Sequence, residues 1–142
     1  MINQTCVDVV FGEMTYHHRW HKKDVITLFE KEWEITVAAK AYSGKPISEN
    51  QRQSYQLFCN NKEQILSDIM STVNKYIEEY VSENKFTEGD KEALMTAGIV
   101  TPRTLLFKQN GEAILLCDFK WDEHGLGIDI NTLQIGSQDI FL

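Results

Sequence analysis

The sequence predicts an α+β domain with a mostly antiparallel sheet, and three patterns carry that prediction. Apolar and polar residues alternate with period two through residues 7–42, recur at three- and four-residue steps from 48 to 81, and alternate again from 105 to 130. The last stretch is interrupted by Asn110-Gly111, the strongest short-range hairpin signal. The expected order is a β-meander, two to three helices and a second β-meander, with the long helix packed on one face of the sheet. All of it falls in a single domain, residues 1–142. A globule of this length buries roughly 68–70% of its unfolded surface without disulfide or metal staples.

The elements follow in order. Val7, Val9 and Phe11 share one face of a first strand, with Asp8 on the other, and Gly12-Glu13 ends it. Residues 14–20 alternate weakly, and 25–29 are apolar on both faces like an internal strand. Glu30-Lys31-Glu32 reads as a polar turn. Trp33, Ile35, Val37, Ala39 and Ala41 then share a face while Glu34, Thr36 and Lys40 point away. Ser43-Gly44-Lys45-Pro46 closes the strands, and Ser48 with Gln51 forms a capping-box signal. Tyr55 and Phe58 begin a helical stripe that Asn60-Asn61 interrupts. Asn61 with Gln64 is expected to cap a second helix, whose stripe runs through Ile65, Ile69, Val73, Tyr76, Ile77 and Tyr80. Residues 89–97 suit a short third helix ended by Gly98, and Thr101-Pro102 punctuates the chain. Residues 105–107 and 113–121 flank the Asn-Gly turn, Asp122-Glu123-His124-Gly125 reads as the next turn, and Leu126, Ile128 and Ile130 alternate after it. Residues 138–142 are expected to add an edge strand.

Composition narrows the function classes. Hydrophobic residues at 42% and charged residues at 25%, with 2 prolines and 8 glycines, exclude collagen-like, low-complexity and disordered chains. No run approaches the ~20 apolar residues of a membrane span, and residues 1–4 do not open a signal peptide, so a cytoplasmic protein is expected. The net charge is −7. Basic and acidic residues balance at six each over 1–47, but acids lead nine to five over 48–97 and six to three over 98–142. That excess disfavours nucleic acid, whose phosphates call for clustered Lys and Arg. It suits a basic protein partner, although the commoner role of such a charge is solubility. Cys6, Cys59 and Cys117 lie far apart in apolar contexts with no C-x-x-C, and read as reduced, buried thiols.

Two stretches invite chemistry. His17-His18-Arg19-Trp20-His21 gathers three imidazoles, but on a strand His17 and His21 lie about 13 Å apart, too far for one tetrahedral ion. Asp118, Asp122, Glu123, His124 and Asp129 gather near one hairpin and would build an acid/base pair or a cation site if their side chains converged. The plainer reading is a salt-bridged surface in which Lys120 pairs with Asp118 and Asp122. There is no P-loop and no G-x-S-x-G, and Gly125-Leu126-Gly127 lacks the third glycine of a dinucleotide site. Trp20, Trp33 and Trp121 continue or flank apolar faces and read as core. No catalytic residue, metal or cofactor is assigned.

One resemblance spans nearly the whole chain. Phe107, Asn110-Gly111, Phe119, the run Trp121-Asp122-Glu123-His124-Gly125-Leu126-Gly127-Ile128 and the closing Gly136-Ser137-Gln138-Asp139-Ile140 resemble an uncharacterised bacterial domain family with a Trp-Asp-x-Glu-His-Gly-Leu-like box. Phe11-Gly12-Glu13-Met14-Thr15-Tyr16, Ile26-Thr27-Leu28-Phe29, Ile35-Thr36-Val37 and Asn61-Lys62-Glu63-Gln64-Ile65-Leu66 are similar to the same family, with Glu30 where it carries a glycine. The resemblance implies small cytosolic proteins found beside secreted or contact-delivered toxins and read as their immunity proteins. Within the box, Gly125 would permit a backbone conformation closed to other residues and His124 would hydrogen-bond the turn.

The reading that follows is a non-catalytic, immunity-type protein that neutralises a basic bacterial toxin, such as a nuclease, by binding it directly. Its expected partner surface is Glu78, Glu79 and Glu83 on the long helix, Glu88, Asp90 and Glu92 after it, and Asp122 and Glu123 at the hairpin, with the protein a monomer or weak homodimer. Two alternatives stand beside it. One is a hydrolase or lyase using His124 with Asp122, Glu123 or a metal; the other is a structural module that self-associates through an exposed final strand near Ile140.

Overall fold

A computed structural model describes residues 4–16, 19–29, 31–41, 46–83, 99–120 and 122–141. Eight strands run β1 (Gln4–Asp8), β2 (Gly12–Tyr16), β3 (Trp20–Leu28), β4 (Lys31–Ala39), β5 (Val100–Phe107), β6 (Ala113–Phe119), β7 (Asp122–Asp129) and β8 (Ile135–Gly136). Helices α1 (Glu49–Asn60) and α2 (Lys62–Glu83) separate β4 from β5, and a 3-10 helix, Gln138–Phe141, follows β8. The protein is α+β, and its sheet is mostly antiparallel, with the strands in chain order from β1 to β8.

One ladder departs from that rule. β4 and β5 run parallel, pairing Thr36–Ala39 with Thr104–Phe107. A parallel step needs a crossover rather than a tight turn, and the helices supply it. Alternation along the strands puts Ile35, Val37, Leu105, Leu115, Leu126 and Ile128 into the main core, which also takes Tyr55 and Phe58 from α1 and Leu66, Ile69, Val73 and Ile77 from α2. The opposite phase of the strands builds a smaller cluster of Ala38, Leu106, Ile114 and Leu116 under Phe141.

The crossover is pinned at its start. Ser48 caps α1 through a complete capping box, the Gln51 N–H donating to Ser48 Oγ at 3.2 Å and the Ser48 N–H to Gln51 Oε1 at 2.8 Å. Gln51 is wholly buried, and its Nε2 donates to the carbonyls of Lys40 (2.8 Å) and Phe107 (3.0 Å), the ends of the two parallel strands. At the β1 end of the sheet, Asp8 Oδ2 accepts the N–H groups of Val10 and Phe11, and its Oδ1 accepts from Arg52 Nε on α1 at 2.7 Å. Phe11, placed by that turn, stacks on Tyr55 with ring centroids 4.3 Å apart.

Several boundaries fall elsewhere than expected. β1 ends at Asp8, because its carboxylate folds residues 9–11 into a turn; Val7 and Val9 are 82% and 91% exposed, not core. Met14 and Trp20 belong to successive strands. The β3–β4 turn sits at Phe29 and residue 30 rather than at 30–32, since Leu28 pairs with Lys31, and Phe29 adopts a φ of 56°. Asn61 does not cap α2 with its side chain; its Nδ2 donates back to the Leu57 carbonyl. Pro102 lies inside β5 at a bulge, beyond the reach of the β4 ladder, where its missing N–H costs no bond. Gln138–Phe141 is helical, so the edge strand near Ile140 is absent and the two-residue β8 forms that edge. Cys117 is buried, but Cys59 is exposed on α1 and Cys6 half-buried, which corrects the reading of three buried thiols. The third helix expected at 89–97 lies outside the described residues.

Candidate functional site

The β6–β7 hairpin turns two residues earlier than the sequence suggests. Phe119 pairs with Asp122, so the connection is residues 120–121, and Asp122-Glu123-His124-Gly125 is not a turn but the opening of β7. The ladder then jumps to Cys117–Leu126, leaving Asp118 alone opposite residues 123–125. This is a bulge, and Gly125 is its hinge with φ +72°.

The bulge has a defined occupant. A Cβ on Gly125 would collide with Gln138 Nε2 and meet the Cys117 carbonyl at 2.8 Å. Gln138 instead donates from Nε2 to that same carbonyl at 2.7 Å. Two residues on, a Cβ on Gly127 would meet the Phe141 ring at 2.6 Å. The glycines of the box are therefore the floor on which the C-terminal 3-10 helix sits. Asp122 Oδ1 accepts the His124 N–H at 2.9 Å, and His124 Nδ1 lies 3.4 Å from Asp139 Oδ2 on the 3-10 helix. His124 thus bonds Asp122 through its backbone, while its ring Nδ1 lies beside Asp139 of the C-terminal segment.

The acidic residues sort into distinct settings. Asp118, Asp122 and Glu123 line a hollow of about 260 Å³ with Phe119, Gly125 and Gln138. Asp118 pairs with Arg103 at 2.5 Å across β5–β6, which replaces the expected pairing with Lys120. Asp129 stays apart, at the far end of β7, accepting the N–H groups of Asn131 and Thr132. His124 is not in the lining of the hollow, so the acid/base constellation does not converge there. Among the described residues, no three His, Cys, Asp or Glu side chains are placed to hold a metal ion. His17, His18 and Trp121 lie outside those residues. Burial pushes the Cys117 thiol up to about 12, and the Asp118 charge adds to it, so this sulfur is no nucleophile.

Sequence reasoning missed where the end of α2 packs. Phe119 contacts the Tyr80 ring at 5.3 Å and the Tyr76 ring at 6.3 Å, so the last turns of α2 rest on the β6–β7 hairpin. Glu78 and Glu79, both exposed, lie between those tyrosines in the chain, and Asp122 lies directly across from Phe119. Glu123 is exposed beside it. Glu83 closes α2, and its side chain lies outside the description, as do Glu88, Asp90 and Glu92 altogether. Gln138 was the other omission; its signal was the closing Gly136-Ser137-Gln138 of the family-like pattern.

The architecture and the site together define a helix-crossed, mostly antiparallel α+β domain with a glycine-floored C-terminal bulge. Residues 10–142 match the family model described as a domain of unknown function (DUF6985), and the chain belongs to that family. No curated protein and no solved structure matches it. No helix among the described residues is long and apolar enough to cross a membrane.

Proposed function

We propose that this chain is a non-catalytic binding protein that neutralises a basic protein toxin by covering it, as an immunity protein does, in the cytosol. The observation that supports the reading is the seam of Tyr76, Tyr80 and Phe119, which packs the α2 segment bearing Glu78 and Glu79 against the strand paired with Asp122. Half-buried tyrosines on a segment that also carries exposed acids suit a protein interface, in which aromatic residues are enriched at the centre and polar groups at the rim. Among the described residues, Glu78, Glu79 and Glu123 have no ion-pair partner. Their field would speed association with a basic surface and, if the toxin is a nuclease, occupy the place of substrate phosphates.

The test is affinity capture from the native organism at moderate salt, followed by calorimetry and growth rescue with the captured protein. A basic toxin whose growth inhibition is relieved by this chain is the expected result. Glu78→Lys, Glu79→Lys and Glu123→Lys together should weaken binding at least tenfold, flatten its salt dependence and abolish rescue. Unchanged affinity in that variant would remove this surface from the reading, and rescue without direct binding would overturn it.

A further inference from the structure

Each of the two parallel strands is followed by a lysine. The Lys40 N–H donates to the Phe107 carbonyl at 2.9 Å, which carries the β4–β5 ladder one step past Ala39–Phe107 and sets Lys40 beside Lys108. Strand alternation puts both on the face of Ala38 and Leu106, opposite the one that packs Tyr55 and Phe58 of α1. The two lysines line one hollow of about 270 Å³ with Gln109 and Asn110. Like charges side by side on neighbouring strands repel, so the pair costs stability as it stands. The described residues leave it short of negative charge. Lys40 is exposed and has no ion pair among them, and Tyr42-Ser43-Gly44-Lys45, which follow Ala41, include no acid. Lys108, its side chain 24% exposed, has one acid nearby, Glu112 at 3.7 Å, beyond hydrogen-bond range. Glu112 is itself held by Asn110, whose Nδ2 donates to its Oε1 at 3.0 Å. The backbone at both lysines is fixed: Gln51 Nε2 donates to the Lys40 and Phe107 carbonyls, Ser48 Oγ to the Gln109 carbonyl, and the Gly111 N–H to the Lys108 carbonyl. The pair is set in place before any ligand arrives.

We infer that Lys40 and Lys108 hold a phosphate group in this hollow, as free phosphate or as the monoester of a small molecule. Charge selects that class. A phosphate monoester carries about −1.5 to −2 at neutral pH on three acceptor oxygens, so one compact group neutralises both ammoniums, where a carboxylate neutralises one. The hollow is several times the ~30 Å³ that one water occupies, enough for the phosphate and the first atoms of whatever carries it. The net charge of −7 does not forbid an anion here. Asp122 pairs with Phe119, and Phe119 with Val100, so that acid sits eight residues along β5 from Lys108, roughly 26 Å and well beyond a Debye length of ~8 Å. The site shares no residue with the surface proposed to bind toxin.

Calorimetric titration of the full chain at neutral pH and constant ionic strength, with inorganic phosphate and separately with glycerol phosphate, tests this. Both should bind saturably and raise the melting temperature, which chloride at the same ionic strength should not. Tighter binding of the ester identifies a phosphorylated small molecule as the ligand, and equal binding identifies free phosphate. Lys40→Gln and, independently, Lys108→Gln should each weaken phosphate binding roughly tenfold. Without phosphate, Lys40→Gln should melt no lower than the parent, since it relieves the repulsion. Lys23→Gln, at an exposed lysine on β3 whose Nζ donates to Thr36 Oγ1, should bind phosphate as the parent does. No saturable binding of either anion overturns the proposal, as does undiminished binding in both Lys40→Gln and Lys108→Gln, or an equal loss in Lys23→Gln.

Discussion

The Gln138 carboxamide occupies the space a side chain on Gly125 would need, and from there it bonds the Cys117 carbonyl at 2.7 Å. The bulge in β7 and the C-terminal 3-10 helix therefore depend on each other. Gly125→Ala must relieve both a positive φ and a 2.8 Å contact with backbone that cannot step aside, and should cost about 2–4 kcal/mol. Gly12 provides the comparison, since it has φ +83° but nothing within 4 Å of its would-be Cβ. Gly12→Ala should cost only the backbone strain, about 1 kcal/mol. Urea unfolding of both variants checks the difference; equal costs would mean that the Gln138 contact contributes nothing.

The Asp8 carboxylate ties the β1–β2 turn to α1. Burial pushes its pKa up, but the Phe11 and Val10 N–H groups and the Arg52 guanidinium outweigh that and hold it below the ordinary carboxylate value. A carboxyl depressed in the folded state contributes stability that is fully present above the unfolded pKa of ~3.9 and lost as pH falls through the folded value. Acid unfolding of the parent should steepen below about pH 4. Asp8→Ala should cost about 2–3 kcal/mol at neutral pH and show a shallower dependence on acid.

Gln51 joins three elements with one buried side chain. Gln51→Ala removes the donor to the Lys40 and Phe107 carbonyls and half of the Ser48 capping box. We expect a loss of about 2–3 kcal/mol, with the greatest increase in amide exchange at the β4–β5 ladder. An increase confined to α1 would show that the strand ends hold without it.

Thiol labelling should separate Cys59 from Cys117. Cys59 is exposed and should react with a disulfide reagent in the folded protein, while Cys117, buried and with its pKa pushed up to about 12, should react only on unfolding. Fast labelling of Cys117 would mean that β6 opens locally.

The sequence alone revealed the fold class, the capping box at Ser48 and the Asn110-Gly111 hairpin, because each rests on local chemistry: a period, a cap, a turn. What escaped it is tertiary. Nothing in a single-strand pattern shows that Asp8 bends the chain after it, so Val7, Val9 and Phe11 looked like one face of a single strand. The polar run Asp122-Glu123-His124-Gly125 looked like a turn because a bulge also gathers polar residues and a glycine. The acids of α2 and of the hairpin sit on separate segments of the chain, and the contact of Phe119 with Tyr76 and Tyr80 that packs those segments together is visible only in the fold.

Because the strands lie in the sheet in the order of the chain, every ladder but one closes over a short connection. Only β4–β5 must wait for the whole helical segment to come between its partners. The entropy of long-range closure is thus concentrated in a single step. Two hairpin series can zip locally over near-neighbour contacts, and the one closure that carries a long-range entropy cost is their meeting along Thr36–Ala39 and Thr104–Phe107.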